Sequence, residues 1–317
     1  MKKIVITGAN GFLGKRFCEL LKESGNKPLA LIRNIEAAAG IKDTADISVV
    51  DFNEIDNLAG NLKNVDCVVH LISRAHILRD KYWDNDEVFC SVNVDITRNM
   101  IEACRLAGVK RFIYMSSVMA MGLLRDDILT EESECYPETA YGRSKLKAEG
   151  LVKSLCAKYN IDYCILRPPL VYGPGNKANM FRLIRLVDKG WPLPLGGVQN
   201  HRSFVYVDNV VIAALKLIDY EKVINQVFLV GDREAVSTPQ LLTLIAKALN
   251  RPCRLIKVPR VFLKLLSLLD KGAVERLMGS LAVDSSKLVR FIGNFPRYPM
   301  AQGLQKTADW YLGLKRI

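Results

Sequence analysis

A short β-branched run, Ile4–Thr7, opens onto glycines spaced G-x-x-G-x-x-G (Gly8, Gly11 and Gly14) and then onto an amphipathic segment, Phe12–Glu23. A strand joined to a helix by such a loop commits the chain to a βαβ unit and a parallel sheet, because parallel neighbours need a long crossover between them. Gly8 permits a tight turn, Gly11 lets the backbone approach a pyrophosphate, and Gly14 lets helix and strand pack closely. The amides around Phe12 and Leu13 head the helix and can donate to phosphates. The expected ligand is a dinucleotide.

The same alternation continues through the first half. Candidate strands are Ile4–Thr7, Leu29–Arg33, Ser48–Asp51, Cys67–Leu71, Arg111–Ser116 and Asp162–Arg167, with helices at Phe12–Glu23, Val88–Leu106 and Tyr141–Tyr159. Gly25-Asn26 marks a left-handed end to the first helix. This is the pattern of an α/β fold with a doubly wound parallel sheet of the Rossmann type. After Arg167, Pro168-Pro169 and Gly173-Pro174-Gly175 break the regularity. Helices (Met180–Lys189, Asn209–Ile218, Pro239–Leu249) there mix with short strands (Ser203–Val207, Gln226–Val230). The expected division is a dinucleotide-binding domain over 1–167 and a smaller α+β substrate lobe over 168–317, some of whose elements return to the first domain.

Charge narrows the partners. The net charge is +12, and the stretch from Arg251 to the end, with 13 basic and 4 acidic residues, carries +9 of it. An anionic partner is implied: a nucleotide fits the glycine loop, a nucleic acid is not expected, and the basic tail leaves room for peripheral contact with acidic lipid or for a solvated face. The eight cysteines include no C-x-x-C and the three histidines no H-E-x-x-H, so no metal site is expected. The apolar run Val261–Leu269, broken by Lys264, is about half the length a bilayer span requires. The thiols suit a reducing compartment, the cytoplasm.

Two further places carry chemistry. At the end of the second strand, where an acid would bond the free 2′-hydroxyl of NAD, the chain has Arg33, which suits the 2′-phosphate of NADP. NADP is therefore favoured over NAD by one cation. Tyr141 and Lys145 lie four residues apart at the start of a helix, which puts phenol and ammonium on one face. A phenol of pKa about 10 needs a nearby positive charge to exchange protons at neutral pH. The fifth strand ends in Met115-Ser116-Ser117 at the same edge of the sheet.

With these motifs the chain resembles the extended short-chain dehydrogenase/reductase family, in its nucleotide-sugar epimerase, dehydratase and reductase branch. The likeness covers T-G-A-N-G-F-L-G, Tyr114-Met-Ser-Ser, Tyr141-Gly-Arg-Ser-Lys145, Arg167-Pro-Pro-Leu-Val-Tyr-Gly-Pro-Gly175, Arg202-Ser-Phe-Val-Tyr-Val-Asp208, Ser280–Lys287 and Gly303–Tyr311. The resemblance implies that Ser117 bonds the reacting sugar oxygen, Tyr141 transfers the proton and Lys145 holds the nicotinamide ribose. It also implies that Asp51 and Phe52 border the adenine and that Leu71 and Asn93 line the cofactor channel. Asn93 also reads as a helix-bending polar residue. Asn179 and Arg202 would clamp the diphosphate of a UDP-sugar, although Asn179 also reads as a helix cap and Arg202 as a surface cation. Related proteins imply a homodimer through Val88–Leu106 and Tyr141–Tyr159, where Leu146, Leu151, Val152 and Leu155 leave apolar surface to bury.

Departures from the family pattern exclude some chemistry. Sugar dehydratases of the family carry an acidic pair after the serine or threonine, and its decarboxylases a glutamate there. Here Val118-Met119-Ala120 follows Ser117, which disfavours elimination. Met121 stands where a tyrosine is usual. What remains needs only a hydride and a proton at C4. The leading expectation is reduction of a UDP-4-keto-6-deoxy-N-acetylhexosamine. A UDP-hexose 4-epimerase with tightly bound NAD is the nearest alternative, acting on UDP-glucose or UDP-N-acetylglucosamine. A reductase of hydrophobic ketones and a non-catalytic dinucleotide-binding redox sensor are weaker ones.

Overall fold

The computed structural model describes residues 2–75, 84–176, 178–220, 225–259, 275 and 277–315. Its strands are β1 (Ile4–Thr7), β2 (Leu29–Ile32), β3 (Asp46–Val49), β4 (Cys67–His70), β5 (Arg111–Met115), β6 (Ile128–Leu129), β7 (Asp162–Arg167), β8 (Leu170–Tyr172), β9 (Phe204–Tyr206), β10 (Gln226–Leu229) and β11 (Ala282–Val283). Seven of them form one parallel sheet in the order β10-β7-β5-β4-β1-β2-β3. The doubly wound sheet expected from the alternation is the fold observed. Strand order reverses between β1 and β4, and the crevice at their carboxyl ends is where such sheets bind ligands.

The helices are α1 (Phe12–Glu23), α2 (Ile55–Asn61), α3 (Asp86–Cys90), α4 (Ile96–Ala107), α5 (Ala140–Tyr159), α6 (Asn179–Asp188), α7 (Val207–Asp219), α8 (Thr238–Ala248), α9 (Ser286–Ile292) and α10 (Met300–Leu314). The sheet is covered on both faces, which is why its central strands are apolar throughout. Ile4 and Ile6 enter one layer with Phe17 and Leu21 of α1 and Val210 and Ala214 of α7. Val5 points the other way, toward Met100 and Ile101 of α4 and Val152 of α5. Each such large apolar side chain contributes about 1.5–3 kcal/mol on burial. The first helix ends as expected: Gly25, at φ +81°, donates to the Lys22 carbonyl and Asn26 to that of Leu21, a Schellman closure.

Later segments return to this sheet. β10 pairs with β7, and α7 is tied to α1 by Arg16, whose Nε and Nη2 donate to the two Asp208 carboxylate oxygens at 2.6 and 3.1 Å. A third core, around Tyr172, Met180, Leu193, Phe204, Leu241 and Leu304, forms beyond Arg167, and Phe12 and Leu13 of α1 pack against it.

Three expectations need correction. The third strand lies two residues earlier than expected, Asp46–Val49, because it is the sheet edge and both end residues are exposed, so burial leaves no mark on its pattern. The helix expected over Val88–Leu106 is interrupted by a π-helical turn, Ser91–Asp95, between α3 and α4. Of the apolar residues expected to spare surface for a dimer, Val152 is fully buried and Leu151 and Leu155 pack against the second layer of the core. The Val261–Leu269 run and His76 lie outside the described residues. No helix among the described residues is long and apolar enough to cross a membrane, no group of metal-ligating side chains occurs among them, and none of the eight cysteines is in a disulfide.

Candidate active site

The glycine loop crosses the carboxyl end of β1 beside that of β4. A Cβ on Gly14 would stand 2.2 Å from the Gly8 carbonyl oxygen and 2.5 Å from Ala9 Cα, so the helix can start here only on a glycine. Gly8 itself is at φ +68°, and a Cβ there would stand 3.0 Å from the Leu71–Ile72 backbone. Gly11, at the N-cap of α1, is exposed, and the first turn of the helix carries no acidic side chain. A cleft of about 320 Å³ lies over this cradle, lined by Gly8, Gly11, Arg33, Phe52, Leu71 and Ser73 among others. A second cleft of about 590 Å³ adjoins it through Arg33 and Phe52 and includes Asp51. Arg33 is exposed just past the end of β2. Asp51 is exposed and accepts from the Asn53 backbone. The cradle fits a pyrophosphate: it offers bare backbone, a helix N-terminus and no competing carboxylate.

Asn93 reaches the site at one remove. It is fully buried in the π-turn rather than lining the cleft, and its carboxamide clasps the loop after β4. Oδ1 accepts from the Arg74 amide at 2.7 Å and from Ser73 Oγ at 3.2 Å, while Nδ2 donates to the Arg74 carbonyl and to Ser144 Oγ. Ser144 in turn donates to the Tyr141 carbonyl at 2.8 Å. The extra residue of the π-turn thus joins the loop of Ser73 to the first turn of α5. Nothing in the sequence singles out Ser73, since a lone serine past a strand carries no signal.

Tyr141 sits on that first turn, capped by Thr139 Oγ1, which accepts from the Gly142 amide at 3.1 Å. A Cβ on Gly142 would lie 2.3 Å from the Met119 carbonyl oxygen, so glycine there brings Tyr141 against the turn that begins at Ser117. Ser117 ends β5's extended run and caps the short 3₁₀ turn Val118–Ala120, its Oγ accepting from the Met119 amide at 3.2 Å. The Tyr141 phenol meets the hydroxyls of Ser117 and Ser73. Burial pushes its pKa up and those hydroxyls pull it down, with burial prevailing. The buried Phe89 ring backs it at 6.3 Å between centroids.

Lys145 shares the face of α5 expected of it, yet its ammonium does not touch Tyr141. The side chain, 1% exposed, runs under the sheet end, where Nζ donates to the Met115 carbonyl at 2.7 Å and to Tyr114 Oη at 3.2 Å. Burial lowers its pKa to about 7, against the pull of Glu149 in the other direction. The direct stabilisation of a phenolate by Lys145 that the spacing suggests is therefore not the arrangement found. A long side chain on the correct face chose the nearest buried acceptors.

Glu149, one turn further along α5, anchors the helix to the sheet. Its carboxylate accepts from Arg167 Nε at 2.9 Å, from Arg167 Nη2, and from Ser116 Oγ, all three residues being buried. Removing one partner of such a pair strands a charge in the interior. Arg167→Met should lower the free energy of unfolding by about 3–5 kcal/mol, read from the denaturant midpoint, and Glu149→Leu added to it should recover part of the loss.

The residues expected to meet a diphosphate lie in the later segments. Asn179 is the first residue of α6 but does not cap it. The N-cap position is Ala178, no side chain caps the helix, and Asn176 Oδ1 closes the turn before it by accepting from the Ala178 amide at 2.7 Å. Arg202 bridges Val236 and Leu281, with Nη1 donating to the Gly279 carbonyl at 3.1 Å.

Known proteins resemble this chain along its whole length. A relative from Vibrio cholerae described as UDP-glucose 4-epimerase is 37% identical over 320 residues, covering 98% of this chain and 96% of its own. Among solved structures, MoeE5 in complex with UDP-glucose and NAD is 27% identical with a TM-score of 0.78, covering 99% of both chains. UDP-N-acetylglucosamine 4-epimerase from Bacillus cereus, 24% identical, has the same fold, with a TM-score of 0.79 over 100% of this chain and 98% of its own. A family model matches residues 4–231, a span that holds the glycine cradle, the Ser117 turn and the Tyr141 helix together, and the chain belongs to the NAD dependent epimerase/dehydratase family.

Proposed function

We propose that the chain acts on C4 of a UDP-sugar as a 4-epimerase, with Tyr141 as the acid and base. The observation that carries this reading is the meeting of three hydroxyls, those of Tyr141, Ser117 and Ser73, beside the glycine cradle, followed along the chain by apolar residues where elimination would need an acid and a base. That set can move one proton at an alcohol or ketone oxygen. Bound at the cradle, a nicotinamide dinucleotide would supply the hydride acceptor and donor. Gly8, Gly11 and Gly14 would hold its pyrophosphate and Lys145 its ribose. Ser117 would hold the sugar oxygen, Tyr141 would take and return that oxygen's proton, and Asn179 and Arg202 in the 168–317 lobe would meet the diphosphate.

The sequence alone ranks net reduction of a 4-keto sugar first. The Vibrio cholerae relative reverses that order in favour of epimerisation, and the NAD held in the MoeE5 complex favours NAD as the cofactor. Reduction with NADPH stays as the second reading because Arg33 stands exposed at the mouth shared by both clefts. Incubation with UDP-glucose, with UDP-N-acetylglucosamine and, separately, with a UDP-4-keto-6-deoxy-N-acetylhexosamine, with product stereochemistry followed by NMR and NADPH by absorbance, separates the two. Interconversion without net NADPH loss supports the epimerase; consumption of one NADPH per 4-keto sugar supports the reductase.

Arg33→Ala gives a second, sugar-independent answer. If the guanidinium pairs with a 2′-phosphate, the variant should bind NADPH about 10–150-fold more weakly and NADH unchanged, from a charge-assisted contact worth roughly 1.5–3 kcal/mol. Equal effects on both cofactors, or none, reject NADP. A homodimer through the segments Val88–Leu106 and Tyr141–Tyr159 is a separate proposal, and a monomeric mass in light scattering at micromolar concentration rejects it.

A further inference from the structure

We infer that Tyr114, Thr97 and His70 are positioning residues for Lys145, forming a buried one-way hydrogen-bond chain that starts at Thr7, the residue before the glycine loop, and ends at the lysine ammonium. The inference rests on the proposed role of Lys145 and adds to it the means by which that side chain is held.

The direction of the chain follows from counting donors. Thr7 Oγ1 accepts from the Leu71 amide at 3.3 Å, so its own hydrogen is free for His70 Nδ1, 2.8 Å away. His70 then carries its proton on Nε2 and donates to Thr97 Oγ1 at 3.1 Å. Thr97 spends its hydrogen on the Asn93 carbonyl at 2.8 Å, which leaves its oxygen an acceptor toward His70 and open to the hydrogen of the neighbouring Tyr114 phenol. A phenol turned that way offers Lys145 a lone pair, and Nζ donates to it at 3.2 Å. The reverse order would leave the Thr7 hydroxyl with its hydrogen unplaced. Thr7, His70, Thr97, Tyr114 and Lys145 are all buried to within 1%, so water cannot reorder the chain.

Each link comes from a different element. β1 supplies Thr7, β4 His70, α4 Thr97 and β5 Tyr114, so the lysine on α5 is referred back to the strand that carries the cradle. Burial and the nearby Lys145 push His70 down to about 3, so the imidazole is neutral across the working range. The groups facing Lys145 are Tyr114, its ring 4.6 Å below Nζ, and the Met115 carbonyl from β5, His70 from β4, and Glu149, held by Arg167, one turn along α5.

The test follows the Lys145 charge directly, by the ¹³Cε shift of lysine-labelled protein titrated with pH and assigned with Lys145→Met. Wild type should titrate near 7. Tyr114→Phe keeps the ring and removes the accepting lone pair, so the midpoint should fall by about one to two pH units. Thr97→Val frees the Tyr114 phenol to turn and should move the midpoint the same way, and Thr97→Ser should restore it. The pH profile of kcat should follow these midpoints. If Tyr114→Phe leaves the midpoint unchanged, the Met115 carbonyl alone holds the lysine and the inference falls. If Tyr114→Phe shifts it but Thr97→Val does not, the chain behind Tyr114 falls. Absence of nucleotide-sugar turnover in wild type would refute the proposed function while leaving the titration readable.

Discussion

Tyr141→Phe should lower turnover by about 10²–10⁴-fold while the dinucleotide dissociation constant stays within about twofold of wild type. The substitution keeps the ring that packs against Phe89 and removes one oxygen. Ser117 and Ser73 remain, but a serine hydroxyl is a far weaker acid than a phenol. Because the phenol is pushed up by burial, the protonated form dominates at neutral pH and the variant loses a donor rather than an anion. Binding of the cofactor, which the proposed function assigns to the cradle and Lys145, has no reason to change. Activity within tenfold of wild type would remove Tyr141 from the mechanism, and a matching loss of cofactor affinity would show that the phenol supports the fold of the cleft instead.

Gly14→Ala should have the second largest effect, and of a different kind. The new methyl would stand 2.2 Å from the Gly8 oxygen and 2.5 Å from Ala9 Cα, both backbone atoms that cannot swing aside. The loop must lift from the helix, which costs about 1–3 kcal/mol of stability and carries the amides out of register with a pyrophosphate. Dinucleotide affinity should fall by at least about 100-fold, with a lower melting temperature. Gly11→Ala is the contrast. Its Cβ would meet only the Gly8 oxygen, at 3.2 Å, and would otherwise project into the open cleft. That variant should melt as wild type does yet bind dinucleotide poorly. If both variants bind normally, the cradle is not the pyrophosphate site.

The parts of this molecule legible in its sequence are those encoded over short spans. β1, the glycine loop and α1 stand where periodicity and glycine spacing put them, since one strand, one turn and one helix decide their own geometry. The edge strand β3 lies away from its expected place because its exposed ends erase the alternation that marks a strand. The π-turn is only half legible, because Asn93 reads as a helix-bending residue but periodicity does not show that an extra residue is inserted there. Ser73 and the true partners of Lys145 are unreadable for another reason: they are set by loops and strands that meet only after the sheet is assembled. Four-residue spacing fixes which way a lysine leaves its helix, and the neighbours decide where it stops.

The return of β10 to the sheet bears on how the protein is made. β7, with Tyr163–Arg167 wholly buried, stays an unpaired apolar edge until residues 226–229 arrive beside it. On the ribosome that interval covers the synthesis of roughly sixty residues, several seconds at about 5–20 residues per second. The same wait applies to Arg16, whose partner Asp208 follows it by 192 positions. The seven-stranded sheet cannot close before much of the later half of the chain exists. A fragment ending at Arg167 would expose a strand that invites aggregation, and a break in the segment between β7 and β10 would strike both halves at once.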